Sequence, residues 1–289
     1  MSAAALTSWL LVALLGITCV WMLWMAATQT DLEQEVRRAG GVLIVQRPPF
    51  SYERFIGALL GARPEGDAYA CLWGTEVDDA WIARNLSSLR SESGLELNLC
   101  RTNVGDDSVR QLTTLKELES LDLSETIVTD AGLQLFAKHP TLACLSVGGT
   151  PVTSTGLQFL PTLPELRYVG VDAAQLDEKL LVTLQGCPKL TSFILIKADD
   201  ATVIRLVRHP SFRLLILQRE AVTDQSLVLL ATHPELTYLC LRDCAVTDAG
   251  VNALQLALPK LQVDRKTTAE SEQEWREMIE KRREETSEP

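Results

Sequence analysis

The 289-residue sequence is poor in the residues that most active-site chemistry needs. It has three histidines, His139, His209 and His233, and each stands immediately before a proline. A Ser/His/Asp or Cys/His nucleophilic site would have to recruit one of them. No HExxH, no glycine-rich phosphate loop and no CxxC pair occurs, so the usual marks of a zinc protease, a nucleotide-binding loop and a zinc ribbon are all missing. The cysteines, at positions 19, 71, 100, 144, 187, 240 and 244, are scattered and odd in number. They read as mostly free thiols, as in a reducing compartment. Long basic runs are lacking too, and the net charge is −11; a phosphate backbone would be repelled, which argues against nucleic acid as a partner. The expectation is a chain with no catalytic residues, no cofactor and no metal.

Charge is absent altogether from residues 3–27. As a helix this stretch would be about 37 Å long, enough for the roughly 30 Å hydrocarbon core of a bilayer. Trp9 lies near one end and Trp21 and Trp24 near the other, where indoles favour the membrane interface. With no basic segment ahead of it, the stretch reads as an uncleaved anchor rather than a signal peptide. Arg37, Arg38 and Arg47 follow it and no basic residue precedes it, which places the remainder of the chain on the cytoplasmic side. Residues 1–29 are therefore assigned to a transmembrane anchor.

What the sequence has in abundance is a repeated frame, Leu-x-x-Leu-x-Leu-x-x-Thr-x-Val, followed by an apolar pattern of helical spacing. Its ninth position falls at Thr75, Thr102, Thr126, Thr150, Ala174, Ala198, Glu220 and Cys244, mostly 24 residues apart. The alternating leucines predict a short strand with one buried face. A single unit is too small to hide its own leucines, so about eight must stack into one continuous core over residues 70–263. Asp130, Asp224 and Asp248 are expected to cap the helices, and Pro140, Pro164, Pro188, Pro210, Pro234 and Pro259 to follow their ends. The three histidines thereby occupy equivalent places on different units.

The frame and its T-x-V-T-D-x-G-L tail resemble the leucine-rich-repeat family, in its cysteine-containing, ribonuclease-inhibitor-like class. The membrane span, Gly40-Gly41-Val42 and the Trp73-Gly74-Thr75-Glu76-Val77-Asp78 start resemble membrane-anchored bacterial members of planctomycete type. The resemblance is strong over residues 70–263 and loose over 31–69; near Asp199-Asp200 it lacks the Val-Thr-Asp step and two residues. It implies an α/β solenoid, with a curved parallel sheet on the concave side and helices on the convex side, acting as a protein-binding scaffold. The alternatives are a substrate-selecting subunit, as in ubiquitin-ligase receptors, and a purely structural envelope protein.

Residues 30–69 read as an N-terminal cap: a capping box at Thr30–Glu33, a helix stop at Gly40-Gly41, a strand at Val42–Val45 and a second helix through 51–60. Residues 264–289 read as a charged amphipathic helix and tail, with Trp275, Met278 and Ile279 on one face. On the concave side, Tyr168, Ile194, Ile196, Leu214, Ile216 and Tyr238 would cluster, bordered by Arg219 and Arg242. An apolar centre with a charged rim is the anatomy of a docking surface for a protein partner. The competing reading is that these side chains form a local core or are covered by the C-terminal segment.

Overall fold

The computed structural model describes residues 34–45, 68–89, 94–209, 212–218 and 221–267, with residues 269, 270, 273 and 277 beyond them. The anchor at 3–27, the helix expected over 51–60 and most of that expected over 268–285 lie outside the described residues. Among the described residues no helix is long and apolar enough to cross a membrane.

A helical turn over residues 34–38 ends at Gly40, as the sequence suggests, and leads into β1 (Val42–Val45), which pairs antiparallel with β2 (Ala68–Cys71). From β2 onward each strand lies parallel to the one before it. The series is β3 (Leu95–Asn98), β4 (Leu118–Asp122), β5 (Cys144–Ser146), β6 (Tyr168–Asp172), β7 (Ser192–Ile196), β8 (Leu214–Gln218), β9 (Tyr238–Arg242) and β10 (Gln262–Lys266). The sheet runs β1 to β10 in strict chain order. Helices α1 (Asp79–Asn85), α2 (Asp106–Leu112), α3 (Asp130–Leu133), α4 (Glu178–Gln185), α5 (Asp200–Leu206), α6 (Asp224–Leu230) and α7 (Asp248–Ala257) connect them. After β5 the connection carries only a 3₁₀ turn, Leu160–Thr162, with Pro161 inside it.

The leucine frame explains this order. Its first, fourth and sixth positions, such as Leu118, Leu121 and Leu123 in one unit and Leu190, Phe193 and Leu195 in another, face the helices and join one continuous core. Strands stack about 4.8 Å apart whereas packed helices need about 8–10 Å, so the sheet takes the inner side of a curve. This is the α/β solenoid with a parallel sheet that the frame implies. Threonine recurs at the ninth position because its hydroxyl donates to the carbonyl of the sixth: Thr75 to Leu72, Thr102 to Leu99, Thr126 to Leu123 and Thr150 to Val147, at 2.6–2.7 Å.

The helix caps differ from expectation. Thr129, Thr223 and Thr247 are the capping residues, and Asp130, Asp224 and Asp248 begin the helices they precede. The aspartates reach sideways instead. Asp106 accepts the Thr129 amide and hydroxyl at 2.8 and 2.6 Å, and Asp130 accepts those of Thr153, both at 2.7 Å. Asp200 holds Thr223 and Asp224 holds Thr247 in the same way. Each is a two-point clamp between successive repeats, and it also accounts for the glycine of the Val-Thr-Asp-Ala-Gly motif. A Cβ on Gly132, Gly156 or Gly250 would come within 2.2–2.3 Å of the preceding repeat's aspartate oxygen. Where that place is serine, as at Ser226, the hydroxyl donates to Asp200.

The series is interrupted ahead of the place the sequence marks as irregular, Asp199-Asp200, where Asp200 still holds Thr223. Ser154 donates to Asp177 at 2.6 Å, reversing the clamp's polarity, and Glu178 pairs with Arg208 instead. The β6–β7–β8 pairing nevertheless stays in full register. At the C-terminal end the sheet extends to Lys266, three residues past the expected limit of 263. Arg265 takes the sixth-position place there and binds Asp248 and the Val246 carbonyl; a charged residue in place of leucine blunts an edge strand. Thr267 and Glu270 then form a reciprocal cap.

Candidate functional site on the strand-bearing face

Third- and fifth-position side chains project from the sheet away from the leucine core. Strand register lines them up as Cys144, Tyr168, Ser192, Leu214, Tyr238 and as Ser146, Gly170, Ile194, Ile216, Cys240. The first repeats contribute a polar half, with Glu96, Ser120 and Ser146 buried and the Ser124 and Ser146 hydroxyls 2.8 Å apart. The later repeats contribute the expected apolar half.

The structure gathers Tyr168, Ile194, Leu214 and Ile216 into a second hydrophobic cluster with Ala143, Cys144 and Cys240, and Ile196 and Tyr238 pack against it half-buried. This corrects the picture of a patch open to water: Tyr168 and Ile216 are 0% exposed, Ile194 5% and Leu214 7%. The ladders mix large residues with small ones, which lets the large side chains lean over their neighbours. Ile196 reaches so far that a Cβ on Gly148 would lie 2.3 Å from its Cδ1, and Gly170 leaves room for the Ser146 hydroxyl in the same manner. Of the sequence readings, a buried cluster, as a local core or a covered face, fits these side chains. Arg242 is also buried, and Arg219 lies outside the described residues.

What this face does expose is its rim, the loop that follows each strand. The eighth position of the frame has left-handed backbone at Gly74, Arg101, Glu125, Gly149, Lys197 and Asp243. Arg101 lies over the Trp73 ring, 5.6 Å from its centroid, and its Nε donates to Glu125 at 2.9 Å. Lys197 donates to Asp172 at 2.9 Å. The sequence held a signal for this rim that the leucine pattern overshadowed: glycine and charged residues share one frame position, which marks a backbone with φ above zero.

The reactive residue types sit in places that quiet them. Burial pushes the Cys187 thiol up to about 12; Cys244 also reaches about 12, through burial and the nearby Cys240. Burial raises Cys144, Cys240 and Cys100 as well, so these thiols stay protonated and poorly nucleophilic. His139 meets the Leu115 carbonyl through Nε2 at 3.0 Å, and His233 meets that of Val207 at 2.9 Å. Both are held below the usual histidine range by desolvation. His209 packs edge-on against Phe193. His139 and His233 thus serve contacts between repeats, and His209 packs within its own. Among the described residues no group of three or more His, Cys, Asp or Glu is placed to hold a metal ion.

No protein-family model matches the chain, and no curated protein matches it. Among solved structures it is similar to internalin C2 of Listeria monocytogenes, at 16% identity and a TM-score of 0.36 over 74% of this chain and 83% of that one. It is also similar to a Bacteroides fragilis protein, at 15% identity and a TM-score of 0.43 over 64% of this chain and 60% of that one. A third is the protein in a TLR13 complex with single-stranded RNA, at 17% identity and a TM-score of 0.28 over 66% and 38%. The chain thus spans less than two thirds of the second and third of these.

Proposed function

We propose that this leucine-rich-repeat solenoid is a non-catalytic protein-binding scaffold, tethered by a membrane span at residues 3–27 with its repeats in the cytoplasm, and that its partner docks along the loop rim of the sheet. The observation that carries the reading is the row Arg101, Glu125, Lys197 and Asp243, charged residues held at φ between 53° and 57°. Left-handed backbone costs a non-glycine residue roughly 1 kcal/mol or more, and Gly74 and Gly149 occupy the same frame position in other repeats. Charges kept at such a cost, on loops carried by a rigid sheet, belong to recognition rather than to folding. Protonated thiols and histidines tied to carbonyls favour binding over nucleophilic chemistry, and the net charge of −11 favours a protein over a nucleic acid. The apolar cluster beneath the rim stiffens the sheet that presents it.

Photo-crosslinking in cells that express the full chain tests the proposal. A photoreactive residue replacing Glu125 or Lys197 should give a discrete adduct with one protein, and the same residue replacing Val228, exposed on the opposite side of the molecule, should not. Adducts from Val228 alone, or equally from every position, would overturn it. For the membrane side, the cysteines among the described residues are buried or half-buried, so a Val228→Cys variant, with its exposed position, is the probe. An impermeant maleimide should leave it unlabelled in intact cells and label it after lysis; labelling in intact cells would place the repeats outside.

A further inference from the structure

We draw no further inference here: the strongest candidate, the exposed apolar stripe formed by Val182, Ile204 and Val228 at equivalent places on α4, α5 and α6, carries nothing because nothing in the structure shows what covers it.

Discussion

Asp122 sits at the fifth position of its repeat, where its carboxylate accepts the Ser124 amide at 2.9 Å. Burial pushes its carboxyl above the ordinary aspartate value of 3.8, against the pull of hydrogen bonds from Ser124 and Ser146. The folded state therefore holds this proton more tightly than the unfolded chain does. The ionised carboxylate begins to cost stability as pH rises past 3.8, and the full cost is present above the folded value. Asp122→Asn should raise the urea midpoint at pH 7 and leave it unchanged at pH 3; a loss at pH 7 would mean the charge is welcome there. The histidines work in the opposite sense. With folded values below 6.5 for His139 and His233, their stabilisation is complete above 6.5 and is lost as pH falls through the folded values. Between pH 7 and 5 the melting temperature should drop, and His139→Gln, which keeps a donor toward Leu115, should flatten that drop. An unaltered slope would remove His139 as a cause.

At the scale of elements, the strands were readable because every second leucine must leave water, and the structure places them at the expected alternation. The caps were misread for a definite reason. Threonine and aspartate are both good capping residues, they stand side by side in Val-Thr-Asp, and only the neighbouring repeat shows which one is engaged elsewhere. The apolar face was readable as a cluster but not as a buried one, since the sequence tells which way a side chain points and not what shields it. The rim was overlooked because left-handed backbone shows in sequence only through the recurring glycine. Two substitutions test these elements. Asp130→Ala removes both bonds to Thr153 and should cost about 1–2 kcal/mol in chemical denaturation, whereas Asp107→Ala, on the exposed side of α2, should change little. Ile216→Asp buries a charge in a dry cluster and should abolish cooperative unfolding; a folded variant of normal stability would show that this face is wet.

For the molecule as a whole, stability is shared between slices that cannot stand alone. Two seams run between them, the leucine core inside and the aspartate clamps along the edge of the helices. The clamps are interrupted at Ser154 and Glu178 while the leucine core runs on unbroken, so the solenoid keeps one sheet through that stretch. The most direct test of this account is the free energy of unfolding of Gly132→Ala, measured alone and together with Asp106→Ala. In an ordinary helix interior, replacing glycine by alanine stabilises by about 0.8–1 kcal/mol. Here the new methyl would meet Asp106 of the preceding repeat at 2.2 Å, so the single variant should instead be destabilised, and removing the Asp106 carboxylate should relieve that loss. A Gly132→Ala protein more stable than the parent, or one whose loss is indifferent to Asp106, would contradict the stacking of repeats described here.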